Sequence, residues 1–231
     1  MTIGPNETEA ETRAAEAVGP GEPPDTETNK RGAKKLGRRG AGANTREALL
    51  QACAGLISEN GIAPISVREI ADRAEVNQAM VRYYFGDKDG LMKAALDYGL
   101  DSLFAAIPQD GGFEDTVFAL VTWMQANAWA AILMMRSVYG AEDLREHFEA
   151  RHAPHLAEMY RGALERGRRD GQVREDLDST FAVRALISLL VFPNLAGPSF
   201  GRVLSAGRGA EAARKSANQI VKLFQPNFSD S

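Results

Sequence analysis

The pattern of hydrophobic and polar positions changes at residue 44. Beyond it, apolar side chains recur at helical spacing, which predicts a first helix capped by Asn44 or Thr45 and ended by the pair Asn60-Gly61. The apolar stripe of this helix consists of Leu49, Leu50, Cys53, Leu56 and Ile57.

Two shorter helices follow the first. Ser66 is a suitable cap for one of them, and the spacing from Ser66 to Glu69 is that of a capping box. Asn77 is a suitable cap for the other, which runs to Phe85 and is closed by Gly86. Two short helices joined by such a brief turn are typical of a helix-turn-helix unit.

Longer helices are predicted beyond residue 87. Their expected ranges are 89–107, 113–126, 129–139, 142–169 with a break at Pro154, 178–191 stopped by Pro193, and 209–224 stopped by Pro226. No alternating run is long enough for a strand. We therefore predict an all-α fold of about nine helices, with a three-helix head followed by a C-terminal helical bundle.

The first 43 residues lack apolar periodicity and are rich in Gly, Pro, Glu and Thr, which favours disorder. We therefore expect three parts: a disordered arm at 1–43, a helix-turn-helix domain at 44–90 and a helical domain at 91–231.

Charge divides the arm into an acidic and a basic part. Residues 1–29 carry seven acidic side chains and one basic one, whereas residues 30–40 carry six basic side chains and no acidic one. The basic positions closest to the first helix are Lys34, Lys35, Arg38 and Arg39. Such a run is either a solvated segment or an arm that follows a nucleic-acid backbone. Because residues 44–100 are net acidic, with eight acids and six bases, we favour the DNA-binding arm.

Composition narrows the class of protein. The longest apolar stretch, Ala126 to Met135, is about half the length of a membrane-spanning helix, and the acidic N-terminus has no signal-peptide core. We therefore expect a cytoplasmic protein without a membrane partner. The single cysteine, Cys53, excludes an intramolecular disulfide and is expected in the core. No nucleophile–base group or phosphate loop is recognisable, so we expect neither an enzyme nor a bound cofactor.

Residues 66–96, SVREIADRAEVNQAMVRYYFGDKDGLMKAAL, resemble the signature of TetR-family repressors. The helix-turn-helix ends in an aromatic run at 83–85, followed by Gly86-Asp87 and by Lys88-Asp89-Gly90-Leu91. The resemblance covers roughly residues 44–100 and implies a DNA-binding head.

The second helix of such a head enters the major groove with its N-terminal end. We therefore expect Gln78, Ala79 and Met80 to meet base edges, with Gln78 able to bond adenine and the other two able to contact a thymine methyl group. The resemblance and the helix N-termini add further DNA contacts, namely Ser66, Arg68, Asn77, Tyr83, Tyr84 and Lys88. Arg82 stands where many members have Tyr. It could hold the DNA backbone or pair with Asp87 or Glu75, and we favour the DNA contact.

In the family, the C-terminal helices enclose a ligand pocket and the last two pair with a second subunit. The resemblance thus implies a small-molecule effector and a homodimer. We expect Trp123, Asn127, Met134 and Tyr160 to contact the effector. Two apolar stripes could form the dimer interface or pack within the chain: Phe181, Ala182, Ala185, Leu186, Leu189 and Leu190, and Ala213, Ala217, Ile220, Val221 and Phe224.

A metal site is a further possibility at the histidines. Histidines and acidic residues stand at helical spacing, namely His147, Glu149, His152, His155 and Glu158. That spacing is not specific and Pro154 interrupts the helix, so we favour surface or pocket-lining histidines and expect no metal.

The function implied by the resemblance is a ligand-responsive repressor that binds a palindromic operator in double-stranded DNA as a dimer. A DNA-binding regulator without a small-molecule effector is one alternative. A helical metal-binding protein or enzyme is the other.

Overall fold

The computed structural model describes residues 30–61, 63–140, 142–195 and 209–226, with side chains over 44–193 and 209–226 apart from residues 62 and 141. Within those ranges every regular element is a helix, which confirms the predicted all-α class. The helices are α1 (Lys30–Asn60), α2 (Val67–Arg73), α3 (Ala79–Phe85), α4 (Lys88–Ala106), α5 (Phe113–Ala126), α6 (Ala128–Tyr139), α7 (Glu142–Arg151), α8 (Ala153–Arg169), α9 (Ser179–Leu195) and α10 (Ala210–Phe224).

Helices α1 to α3 form the predicted three-helix head. Leu49 and Cys53 of α1, Ile70 of α2 and Val81 of α3 are each at most 1% exposed, so the three helices share one core. Glu75 adopts a φ of 56° in the turn between α2 and α3. The tight turn and the shared core define a helix-turn-helix.

The residues predicted to cap α2 and α3 both form local hydrogen bonds. The Ser66 hydroxyl accepts a hydrogen bond from the amide of Glu69 at 3.2 Å, and the Glu69 carboxylate accepts one from the amide of Ser66 at 2.7 Å, so the capping box is confirmed. The Asn77 side chain accepts from the amide of Ala79 at 2.8 Å, but the residue at the N-cap of α3 is Gln78, whose side chain forms no capping hydrogen bond.

Helix α1 begins well before its predicted cap. Its backbone is helical from Lys30, whereas we predicted disorder up to residue 43. Helix propagation adds one hydrogen bond for each residue that is fixed once a nucleus exists, and Ala, Lys, Arg and Leu are good helix formers. The helix nucleated beyond Asn44 can therefore extend into a segment that has no apolar stripe. Residues 1–29 lie outside the described residues.

Two prolines affect the long helices differently. The predicted break at Pro154 is confirmed: α7 ends at Arg151, and α8 begins at Ala153 with the proline in its first turn, where no amide is needed. This break accounts for one more helix than expected. Pro193 does not stop α9, which continues to Leu195. It lies in the last turn, where the loss of one backbone hydrogen bond costs least.

The C-terminal bundle is built around α4, α5 and α6. Helix α4 contacts α3 in the head and α5, α6 and α7 in the bundle. Gly99 of α4 permits the close approach of α6, since a Cβ atom there would lie 2.9 Å from the Trp129 ring. Helix α4 therefore connects the head with the bundle.

The apolar stripe of α10 packs within its own chain. Helix α10 lies along α5, with the rings of Phe113 and Phe224 centred 5.5 Å apart. The carbonyl of Phe224 accepts from the amide of Arg174 at 2.9 Å. Of the two alternatives for this stripe, the structure supports packing against the core, because α5 already buries it.

No single helix within the described ranges has both the length and the apolar composition to cross a membrane. Helices α5 and α6 satisfy the criteria of length and apolar composition only when they are taken together, and a bend of 90° separates them.

Candidate nucleic-acid interface and effector cavity

The N-terminal end of α3 projects from the head. Gln78 and Ala79 are exposed, whereas Met80 is half-buried and packs against the core. Two of the three predicted base-contacting residues are thus presented to solvent, and the third helps to hold the helix in place.

Two cations flank Gln78 on the same surface. Arg82 and Lys88, together with Gln78 and Asp87, line a concave surface that encloses a volume of about 490 Å³. Arg82 is exposed and, within the described ranges, forms no ion pair with Asp87 or Glu75. The structure therefore does not support the alternative in which Arg82 serves to neutralise a neighbouring acid.

The other arginines of the head whose side chains are described are engaged elsewhere. Their partners are Asp72 for Arg68 at 3.6 Å, Glu59 for Arg73 at 2.5 and 2.7 Å, and the ring of Phe85 for Arg46 at 5.3 Å. The hydrogen bonds from Arg73 lower the pKa of Glu59 and raise the pKa of Arg73 itself. Among the described arginines and lysines of the head, Arg82 and Lys88 form no ion pair at salt-bridge distance, although the charge of Lys88 contributes to the lowered pKa of Glu69.

The remaining predicted DNA contacts differ in how free they are. Tyr83 is 75% exposed, whereas Tyr84 is half-buried and meets the Tyr83 ring edge-on at 4.8 Å. The Ser66 amide donates to the Glu69 carboxylate and is therefore occupied. The Ser66 hydroxyl accepts a hydrogen bond from the Glu69 amide, so its own hydrogen is available for another acceptor. Arg68 remains largely exposed despite its contact with Asp72.

The junction of α3 and α4 explains the residues of the sequence signature. Gly86 adopts a φ of 81°, a left-handed conformation that favours glycine. Asp87 then caps α4 by accepting from the amide of Gly90 at 2.8 Å. A Cβ atom at Gly90 would lie 2.0 Å from the carbonyl oxygen of Phe85. This close approach fixes the angle between the two helices.

The basic arm falls where only the backbone is described. Lys34, Lys35, Arg38 and Arg39 belong to the first part of α1, and their side chains lie outside the described residues. Their contact with DNA stays a prediction.

An apolar cavity of about 270 Å³ lies among α4, α5, α6, α7, α8 and α9. Met134 and Tyr160, two of the four predicted effector contacts, line it. Sequence reasoning missed most of its other walls, among them Leu103, Met124 and Phe148. Leu103 and Met124 lie on apolar helices and Phe148 lies on the largely polar α7, and neither setting distinguishes a cavity wall from ordinary core.

Tyr160 is the polar feature of this cavity. It is only 3% exposed, and burial raises the pKa of its hydroxyl. Within the described residues the hydroxyl forms no hydrogen bond, so it can donate to a guest molecule.

Trp123 and Asn127 lie elsewhere. They line a separate groove on α5 beside Pro108. The Trp123 indole donates to the hydroxyl of Ser102 at 3.0 Å, and the Asn127 side chain donates to the Trp123 carbonyl at 3.0 Å. The Trp123 indole therefore links α5 to α4, and the Asn127 amide stabilises the end of α5. The structure does not bring either residue to the cavity of Met134 and Tyr160.

The three histidines are not equivalent. His147 and His152 both approach Asp97 of α4, an acid that the sequence did not single out. The ring of His155 instead bonds the carbonyl of Arg151 at 2.9 Å. Glu149 and Glu158, the acids considered from spacing, do not belong to the group.

An exposed recognition helix on a helix-turn-helix head, joined to a helical bundle with an apolar cavity, defines the class of helical DNA-binding regulators. The sequence profile of the bacterial regulatory proteins of the tetR family matches residues 49–95. The match covers the helix-turn-helix head, so this part of the chain is similar to the DNA-binding domain of that family.

Curated relatives are similar to part of the chain, and solved structures share its fold. The transcriptional regulator BetI of Stenotrophomonas maltophilia is 32% identical over 41% of this chain, and the chain spans 57% of that relative's length. The TetR-family regulator PfmR of Thermus thermophilus superposes with a TM-score of 0.56 at 22% identity, covering 75% of this chain and 93% of PfmR. FadR of Bacillus subtilis, solved in complex with stearoyl-CoA, gives 0.57 at 16% identity, covering 77% and 96%.

Proposed function

We propose that this protein is a ligand-responsive transcription repressor that binds a palindromic operator as a homodimer in the cytoplasm. The observation that carries the proposal is the exposed Gln78 with Arg82 and Lys88 beside it on one concave surface. The naming of its relatives as transcription regulators supports a role in regulation rather than catalysis.

The chemistry of this surface suits a DNA major groove. The Gln78 amide offers a donor and an acceptor, the pair that adenine presents in reverse. Arg82 and Lys88 can neutralise phosphates on either side, and the exposed hydroxyl of Tyr83 can donate to another. Gln78 would thus provide base selection, while its neighbours fix the register.

Selection of bound duplexes from random DNA tests this proposal and yields the operator. On that operator, Gln78→Ala should weaken binding by roughly 5- to 150-fold, the equivalent of about 1–3 kcal/mol for one bidentate base contact. Gln219→Ala, which truncates an exposed glutamine on α10, is the matched control and should have no effect. Equal effects of the two variants would contradict the assigned role of Gln78.

The cation contacts are tested by salt dependence. Lys88→Ala should weaken binding to all duplexes alike and reduce the slope of log K against log salt by about 0.9. Lys215→Ala removes an exposed cation from α10 and should leave the slope unchanged. A parental slope in Lys88→Ala would exclude a phosphate contact at this position.

For the homodimer we propose the outer face of α9. Ala182, Leu186 and Leu190 point into the core, whereas Phe181 is 62% exposed. An exposed phenylalanine on an apolar helix is suited to a partner surface. A dimer would place two α3 helices at two half-sites of a palindrome.

Phe181→Asp should convert the dimer to a monomer in analytical ultracentrifugation and weaken operator binding. Glu211→Gln, a change at an exposed position of α10, is the control. A Phe181→Asp dimer of parental stability would exclude this face as the interface.

The proposed effector is a mainly apolar molecule with one hydrogen-bonding group. The cavity is apolar, its volume of about 270 Å³ lies near the lower end of small-molecule sites, and Tyr160 supplies a hydroxyl. Straight-chain alkanols and fatty acids of increasing length are suitable probes. Those that fit should raise the melting temperature and release the operator.

Tyr160→Phe preserves the ring and removes the hydroxyl. It should weaken binding of the polar probes by about tenfold, the value of one hydrogen bond of roughly 1.5 kcal/mol, while parental DNA affinity is retained. If no probe stabilises the protein and Tyr160→Phe changes nothing, the regulator lacks an effector of this class.

Two connections could carry the effector signal. Helix α4 runs from Lys88 at the DNA surface to Leu103 at the cavity. Helix α6 lines the cavity through Met134 and carries Arg136, whose guanidinium donates to the carbonyls of Gly61, at 2.6 Å, and Ala63. A ligand that moves α4 and α6 would change the spacing of the two α3 helices in a dimer and so reduce operator binding.

A further inference from the structure

Three metal-ligating side chains converge beside the cavity. The Nε2 atoms of His147 and His152 lie 2.7 and 2.6 Å from the same oxygen, Oδ1 of Asp97. Their ligand atoms all fall within 4.8 Å of one another. Asp97 belongs to α4, His147 to α7, and His152 to the junction of α7 and α8, so tertiary structure alone brings them together.

We propose that Asp97, His147 and His152 bind one divalent transition-metal ion of the zinc class. Two imidazole nitrogens and one carboxylate oxygen are the donor set that zinc and its first-row neighbours share, and magnesium and calcium prefer oxygen alone. Water or a polar group of a bound molecule can occupy a fourth position.

The spacing of the three groups fits such an ion after a small adjustment. An ion about 2.0–2.1 Å from each donor in tetrahedral geometry separates the donors by roughly 3.3 Å. Each imidazole would therefore move by less than about 1 Å from its hydrogen-bonding position. His152 has a side chain only 3% exposed, and those of His147 and Asp97 are 24% and 27% exposed. The site is thus shielded but has an entry path.

Among the described side chains paired with Asp97, Arg151 is the one that opposes a cation. Its Nε lies 3.5 Å from Oδ1 of Asp97, but its side chain is 59% exposed and can turn towards solvent. Removal of this charge should therefore strengthen metal binding. An increase in metal affinity on loss of Arg151 would therefore indicate a metal site. A purely structural ion pair requires no added ion, and its loss would not increase the affinity for one.

The position of the site gives an ion a structural effect. Phe148 and Ala153, which directly follow the two histidines, line the cavity, as does Leu103 of α4. An ion bound by Asp97 and both histidines would join α4 to the α7–α8 junction and restrain the cavity wall.

The experiment uses the full chain, free of affinity tags and stripped of metal with a chelator. Titration with Zn²⁺ in a calorimeter should give one ion per chain and a raised melting temperature, whereas Mg²⁺ should give neither. Co²⁺ should produce the visible absorption of a low-coordinate site with nitrogen ligands.

Variants assign the ion to the three residues. His147→Gln should weaken Zn²⁺ binding by more than about tenfold, given that even groups that only support a metal ligand account for roughly 10- to 100-fold. His155→Gln, at an exposed histidine outside the group, should retain parental affinity, and Arg151→Ala should exceed it.

The proposal is overturned if the folded chain binds no Zn²⁺ at micromolar concentration, or if His147→Gln and His155→Gln lose affinity equally. A far-ultraviolet spectrum and melting curve of each variant establish that it is folded. Because no DNA is present, the result is independent of the proposed repressor function.

Discussion

Replacement of Gly90 by alanine should disturb the α3–α4 junction and leave the rest of the fold unchanged. The added Cβ atom would lie 2.0 Å from the carbonyl oxygen of Phe85. Non-bonded heavy atoms sit roughly 3.5 Å apart, so the end of α3 must move by more than about 1 Å. The strained group is backbone, which cannot rotate away as a side chain could.

The size of the effect follows from two opposing contributions. Overpacking of this kind costs about 1–3 kcal/mol, and the reduced freedom of the unfolded chain returns about 0.4–1 kcal/mol. The net loss should be roughly 1–2 kcal/mol, which lowers the melting temperature by about 2–8 °C in a chain of this size. Operator affinity should fall by about tenfold, because α3 also carries the base-contacting end at Gln78.

Gly162→Ala is the matched control. It lies in α8, where the nearest atom to a Cβ is the end of the flexible Arg166 side chain at 3.4 Å. This variant should be neutral or more stable by about 0.4–1 kcal/mol and should bind the operator normally. Chemical unfolding and fluorescence anisotropy measure the two quantities. If Gly90→Ala is as stable as Gly162→Ala and binds DNA equally well, the account of the junction is wrong.

Three further predictions concern other parts of the chain. Arg136→Ala should leave operator binding by the ligand-free protein nearly unchanged. It should reduce the release of the operator by cavity ligands by about fivefold or more, which is the scale of a typical coupling energy, and unaltered release would exclude this connection. Deletion of residues 1–40 should flatten the salt dependence of operator binding by about 0.9 for each phosphate that the arm neutralises, and a parental slope would exclude the arm from the complex. Because burial raises its pKa to about 12, Cys53 should not react with a thiol reagent at pH 8 until the protein is unfolded, and rapid reaction in the native protein would contradict its burial.

The head was predictable because its signals are local. Ser66 and Glu69 stand three residues apart and form hydrogen bonds with each other, so their interaction is local in the sequence. Asn77 likewise bonds an amide two residues away, and Gly86 supplies a conformation that its own backbone requires. The start of α1 was missed because apolar periodicity reports burial, whereas a helix can extend into a segment whose sequence has no such periodicity.

The cavity was only half predictable because its walls depend on which face each helix presents. Trp123 and Met124 are neighbours in the sequence, yet Met124 lines the cavity and Trp123 lines a groove beside Pro108. Helices α5 and α6 are apolar on several faces, so their sequence does not reveal which face borders a cavity. Asp97 was missed for a related reason: its histidine partners lie 50 and 55 residues away.

The order of sites along α4 constrains how they could act on each other. Lys88 lies at the proposed DNA-binding surface, Asp97 at the histidine group and Leu103 at the cavity, all on one uninterrupted helix. Lys88 and Leu103 are separated by roughly 22 Å at 1.5 Å per residue, and a helix of this length moves as a rigid body. The contact of Arg136 with the carbonyls of Gly61 and Ala63 holds the head at a second point. A ligand that displaces α4 relative to α6 would therefore disturb the two points at which the bundle holds the head, and a metal ion at Asp97 would oppose that displacement by joining α4 to the α7–α8 junction.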